Sequence, residues 1–183
     1  KFLIAAVGGM IGYGVMSFIM TATPLAMIGC GLEFRDTAFV IQWHALGMFA
    51  PSFFTGSLIN RFGVLRVMFV GALLLAASVA VNLSGLELMR FFSGLVLLGL
   101  GWNFLFIGGT TLLTETYEPA EKAKVQGLND LLVFTTVSAS SFASGALLHL
   151  FGWQAVNLGV IPLILIVVLL IGWQRFQTAR ATA

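Results

Sequence analysis

Residues 52–67 read SFFTGSLINRFGVLRV, and residues 141–156 read SFASGALLHLFGWQAV. Both fit S-F-x-x-G-x-L-x-x-x-F-G-x-x-x-V. The pairs are Ser52/Ser141, Phe53/Phe142, Gly56/Gly145, Leu58/Leu147, Phe62/Phe151, Gly63/Gly152 and Val67/Val156. The offset is 89 residues in a chain of 183. At the same offset Gly12 meets Gly101, Tyr13 meets Trp102 and Thr21 meets Thr110. An ungapped match at close to half the chain length reads as an internal duplication.

The composition around these copies says what solvent they sit in. Hydrophobic residues make up 59% of the chain and charged residues 9%, with a mean hydropathy of +1.03. A soluble domain carries about a quarter charged residues. This chain has too little polar surface to cover its apolar bulk in water, so the expected solvent is lipid. The formal charge of +2 offers no strong basic balance for nucleic acid. Cys30 is the single cysteine and forms no internal disulfide. Lys1 stands where an initiator Met would be, so a fragment or processed product is expected. The apolar run behind Lys1 is too long for a signal-peptide core and lacks a small-residue cleavage site.

A helix crosses the hydrocarbon with about 20 apolar residues. Six such spans are predicted, at about 2–30 with Pro24 inside, 37–58 with Pro51 inside, 64–83, 87–114, 122–150 and 156–173. The connections are short, so the chain reads as one all-α integral membrane domain. Alternating sides collect Lys1, Arg61, Arg66, Lys122, Lys124, Arg175 and Arg180 against Arg35 and Arg90. Basic residues concentrate on the cytoplasmic side, so both termini are expected in the cytoplasm. The repeat offset carries span two onto span five and span one onto span four. Three spans is an odd number, so the copies run in opposite senses across the bilayer. The expectation is a 3+3 inverted repeat, with repeat A about 1–84 and repeat B about 85–183.

The stretch GSLINRFGVLR, residues 56–66, resembles the loop signature of the major facilitator superfamily, G-x-L-a-D-r-x-G-r-r. Gly56, Leu58, Arg61 and Gly63 match it, and Asn60 stands at the Asp position. Val64 and Leu65 stand where the signature has basic residues. ETYEPAEKAKVQG, residues 115–127, resembles the acidic-Pro-basic-Gly pattern between the fourth and fifth helices of a half. RFFSG, residues 90–94, resembles the Arg-x-x-x-Gly of a fourth helix. The resemblance implies the C-terminal six-helix half of a twelve-helix secondary transporter in the cell (inner) membrane. It implies a small-molecule substrate, and as partner either the other six-helix half or a second copy. It also implies a cytoplasmic gate motif of Gly56, Arg61, Gly63, Arg66 and Glu115, in which Arg61 or Arg66 pairs with Glu115 as a latch. The alternative is a static surface ion pair, worth about 0–1 kcal/mol. A membrane scaffold or assembly subunit is the competing function.

Polar residues in lipid are costly and usually face a cavity or a partner. Spans three and six are nearly free of them and are expected at the periphery. Spans one, two, four and five carry the polar atoms and are expected to line a central cavity, with substrate-cavity candidates Tyr13, Gln42, His44, Trp102, Asn103 and Thr110 on spans one, two and four. Gln42 and His44 lie about 200° apart on a helix, so they cannot both face one cavity. A lone membrane histidine more often donates an interhelical hydrogen bond than binds substrate. Asp130 is the only acid inside a span and is the candidate for coupling a proton. Its alternative is a structural partner for Arg61 or Arg66. No nucleophile elbow, zinc-protease helix, phosphate-binding loop or metal-spaced cluster of His and acid occurs. No enzyme activity, catalytic residue, metal or cofactor is expected, and no nucleic-acid partner.

Overall fold

A computed structural model describes the backbone of residues 1–181 and the side chains through residue 174. The described chain is helical throughout, without strands. Helix α1 is Phe2–Gly29, α2 Phe34–Phe49, α3 Ser52–Phe62, α4 Val64–Leu83 and α5 Leu88–Thr114. A 3-10 turn at Pro119–Glu121 leads into α6, Lys122–Gly159, and α7 is Ile161–Ala181. The side chains of Arg175 and Arg180, counted above toward the cytoplasmic side, lie outside the described residues.

Among the described residues, four helical runs are long and apolar enough to cross a membrane: Phe2–Gly29, Val64–Leu83, Leu88–Thr114 and Pro119–Gln174. The second expected span is not one helix. Ala50 and Pro51 keep right-handed helical dihedrals, but Pro51 has no N–H to give the preceding turn, so the hydrogen-bond ladder is interrupted between α2 and the 11-residue α3. A capping box starts α2, with Glu33 and Asp36 each taking the other's backbone N–H. The boundary between the fifth and sixth spans also differs from a simple loop. Helix α6 continues to Gly159 but turns at Gly152, whose φ is +79°. Gly63, between α3 and α4, has φ of +87°. Side chains avoid this left-handed region, so both bends rest on glycine.

Helix α5 is the centre of the packing. It contacts α1, α2, α3 and α4, while α1 also packs on α6 and α7. The approach to two neighbours is backbone to backbone. A methyl on Gly101 would lie 2.8 Å from the Gly71 carbonyl oxygen on α4. One on Gly99 would lie 2.7 Å from the His44 carbonyl oxygen on α2. Between membrane helices there is little hydrophobic drive, so close van der Waals contact through small residues holds them together.

Hydrogen bonds add to this. Ser78 Oγ of α4 donates to the Gly94 carbonyl of α5 at 2.7 Å. Asn82 Nδ2 donates to Asn157 Oδ1 at 3.0 Å, and Trp153 Nε1 to the Asn82 carbonyl at 3.1 Å, tying α4 to the segment after Gly152. Ser17 and Ser141 share a 2.8 Å hydrogen bond between α1 and α6. Ser144 Oγ donates to the Phe18 carbonyl. The outward faces of α4 and α7 are apolar, with Val70, Leu73, Leu165 and Leu169 exposed.

Candidate functional site

Five aromatic rings from four helices meet at one place. Trp102 and Phe106 are one turn apart on α5 and stack, with centroids 5.1 Å apart and planes at 9°. The Tyr13 ring of α1 stands edge-on to both, at 5.2 Å and 5.5 Å. Phe134 of α6 reaches Tyr13 at 6.2 Å. Phe49, the last residue of α2, reaches Trp102 at 6.0 Å. Edge-to-face and offset-stacked rings are the favoured geometries, since ring edges are positive and faces negative. The Trp102 side chain is buried, and its Nε1–H has no hydrogen-bond partner among the described residues. Leaving such a donor unpaired in a dry interior costs about 1–3 kcal/mol.

The polar candidates extend from this cluster. Thr110 is one turn beyond Phe106 on α5, exposed, with its hydroxyl on the Phe106 carbonyl at 2.8 Å. Asp130 is one turn before Phe134 on α6 and also exposed, with no ion pair among the described residues. Gln42 is exposed on α2, two turns before Phe49 and on the same stripe. By helix spacing, Thr110, Gln42 and Asp130 continue the stripes that carry Phe106, Phe49 and Phe134.

Two candidates sit elsewhere. His44 is fully buried between α2 and α5, where Nδ1–H donates to the Leu95 carbonyl at 2.8 Å. A carbonyl can only accept, so the tautomer follows. His44 links helices away from the ring face. Asn103, next to Trp102, is also buried, and it faces the break between α2 and α3. Its Nδ2 donates to the Met48 carbonyl at 2.6 Å and to Ser52 Oγ at 2.7 Å. Its Oδ1 lies 2.7 Å from Thr55 Oγ1. These contacts place the Asn103 amide at the joint between α2 and α3.

Of the expected gate residues, Arg61, Gly63 and Arg66 are neighbours along the chain, while Glu115 pairs elsewhere. Arg61 ends α3, Gly63 makes the turn, and Arg66 is in the first turn of α4. The Arg61 guanidinium lies 5.3 Å from the Phe62 ring centroid. The expected pair of Arg61 or Arg66 with Glu115 is not formed; Glu115 takes Lys1 Nζ at 2.8 Å. Nor does either arginine pair with Asp130. Lys1 and Glu115 close the ends of α1 and α5, which pack side by side. At half exposure this pair contributes at most about 1 kcal/mol.

Sequence reasoning missed Phe49, Phe106 and Phe134, and the hydroxyls of Ser52 and Thr55. The spacing of Trp102 and Phe106, one turn apart, was the available signal for the stack.

The family model of the Major Facilitator Superfamily matches residues 5–182. The chain is 45% identical to the riboflavin transporter RfnT of Brucella anthropi, over 91% of this chain and 42% of that protein. It is 35% identical to the uncharacterized MFS-type transporter YdeG of Bacillus subtilis, over 88% of this chain and 38% of the relative. It is 31% identical to the 4-hydroxybenzoate transporter PcaK of Pseudomonas aeruginosa, over 92% and 37%. No solved structure matches the chain. The chain thus spans about two fifths of the length of these relatives. With a family match over nearly all of its helices, the chain belongs to the major facilitator superfamily.

Proposed function

We propose that this chain is the C-terminal six-helix half of a twelve-helix secondary transporter, and that it moves a flat aromatic solute, riboflavin or a compound like it. The observation that carries this is the ring cluster of Tyr13, Trp102, Phe106, Phe49 and Phe134, with a buried, unpartnered indole N–H. Ring faces and edges suit a planar conjugated solute, and the free N–H suits a heteroatom on its rim. RfnT at 45% identity and PcaK at 31% both carry aromatic solutes in their names, which agrees with this chemistry.

Six crossings arranged as a 3+3 inverted repeat are part of the same reading. The repeat pairs behave alike in several places. Gly63 and Gly152 are both left-handed bends. Thr55 and Ser144, 89 residues apart, are both fully buried hydroxyls that reach across to a neighbouring helix. Tyr13 and Trp102 touch each other inside the ring cluster. Transporters of this build bind solute where their repeats meet. In this reading α2 and α3 together make the second crossing, and both termini are cytoplasmic. The ring face with Thr110, Gln42 and Asp130 turns toward the missing half or a second copy, and Asp130 is the proton-coupling residue.

The test is uptake of riboflavin into proteoliposomes holding the full-length protein. Accumulation that 4-hydroxybenzoate or riboflavin itself competes away supports the reading. Uptake no faster than empty vesicles, for both solutes, sinks it.

A further inference from the structure

The break between α2 and α3 is served by more side chains than a passive kink requires. Pro51 supplies no N–H, and the Ser52 N–H does not return to the Met48 carbonyl. That carbonyl would otherwise be stranded away from water. Asn103 reaches over from α5 and takes its place as donor, at 2.6 Å. The same amide then grips the far side of the break through Ser52 Oγ and Thr55 Oγ1. Thr55 Oγ1 also lies 2.8 Å from the Pro51 carbonyl. One side chain on the central helix thus holds both lips of the joint.

The other copy of the repeat does without all of this. At the offset of 89 residues Pro51 corresponds to Ser140 and Asn103 to Gly14. Helix α6 runs unbroken through Ser140. The architecture therefore tolerates a straight helix at this place, and the break is not a requirement of the fold.

What lies beyond the joint is loosely held. Only Thr55 and Ile59 of α3 are buried, and Phe53 is 94% exposed. An apolar cavity of about 380 Å³ opens beside its far end, between Leu58, Phe62 and the α5 residue Phe104. A second, of about 280 Å³, backs the joint itself, with Gly47, Ala50, Pro51 and Phe54 on one wall and Val96 and Leu100 on the other. Both are grooves open to the surface, one beside each end of α3. At one end it leads to Arg61 and the Gly63 turn, and at the other the joint adjoins Phe49, which touches Trp102.

We propose that the α2–α3 joint is a moving part, with Asn103 as the positioning residue that holds one setting, and that Phe49 passes a change at the Trp102 ring on to α3 and the Arg61 turn. The solute half of this statement rests on the function proposed above, and the comparison with Ser140 rests on the repeat in that same reading; the hydrogen bonds and exposure at the joint do not. Hinges of this kind change turnover through the populations of their two settings.

The motion is tested on the full-length protein with spin labels at Ser57 on α3 and Met89 on α5, both exposed, in a background where other cysteines are replaced. Two distance populations are expected without solute, collapsing to one in Pro51→Ala, whose restored N–H allows an unbroken helix. A single narrow population in the parent protein, with and without riboflavin, overturns the proposal. Transport separates hinge from scaffold. Asn103→Leu should lower both melting temperature and turnover. Asn103→Leu with Pro51→Ala should regain the melting temperature, because the helix supplies its own donor, while turnover stays about tenfold low, the loss expected when roughly one hydrogen bond's worth of preference between settings is gone. Recovery of both would make Asn103 a structural brace only and overturn the proposal. Should Asn103→Leu fail to fold, Ser52→Ala and Thr55→Val each remove one grip; turnover unchanged in both also overturns it. Two distance populations in a protein that does not carry riboflavin would leave the joint standing and reject the solute.

Discussion

Asp130 and His44 show what a single residue's surroundings decide. Both are titratable groups within apolar stretches, yet one is exposed beside Phe134 and the other is sealed between α2 and α5. The 200° separation of Gln42 and His44 was readable from helix geometry, and the structure puts them on opposite faces. The place of Asn103 was not readable. Its role depends on the Met48 carbonyl, which the Ser52 N–H fails to reach beside Pro51, and no local pattern announces such a meeting. For Asp130 the lack of a buried partner shifts the expectation. Asp130→Asn removes no ion pair among the described residues, so a drop in the melting temperature of the full-length protein would report a partner for Asp130 from the other half. If Asp130 couples a proton, that variant keeps solute counterflow and loses accumulation driven by a pH gradient. Normal pH-driven accumulation would remove it from the coupling path.

At the scale of elements, α1, α4 and α5 match the expected spans to within a few residues, because long apolar runs ended by glycine or charge leave little choice. The second span was legible as apolar but not as two pieces. Membrane helices often carry proline without breaking, since neighbours re-satisfy the freed groups. Here the neighbour is Asn103, and it satisfies the break instead of closing it. The bend at Gly152 was foreshadowed by the match to Gly63, although the helical run through it was not. The α4–α5 contact gives a direct test of element packing. Gly101→Val would press a branched side chain on the Gly71 carbonyl and on Leu75. Overpacking of this kind costs about 1–3 kcal/mol. Thermal denaturation in detergent should show the loss, and an unshifted transition would mean that the two backbones do not meet.

For the molecule as a whole, the sidedness of the chain is the expectation most exposed to a simple measurement. Cys30 lies free and exposed at the turn between α1 and α2. If the basic residues set orientation as proposed, that turn is extracytoplasmic. A membrane-impermeant maleimide should label Cys30 in intact cells, read by mass on its own peptide, while a cysteine placed at Arg61 should label only after the membrane is opened. The reverse pattern would invert the whole assignment. The ring cluster also belongs to this scale, since it draws on α1, α2, α5 and α6 at once. Sequence reading found Tyr13 and Trp102 as polar-tipped residues of spans one and four. It passed over the phenylalanines, since 17 of them in 183 residues make any one unremarkable until the helices bring them to one point.

Helix α5 meets α2 and α4 backbone against backbone, and it also approaches α1, where a methyl on Gly109 would lie 3.1 Å from the Ala5 carbonyl oxygen. Freeing it means parting three interfaces together, an event as rare as global unfolding. Freeing α3 means lifting two buried side chains and loosening one amide. Local openings span that whole range of free energies within one protein. The chain therefore keeps two clocks. One sits in a helix that opens on the timescale of loop and hinge motions, and the other in the helix against which that motion is timed.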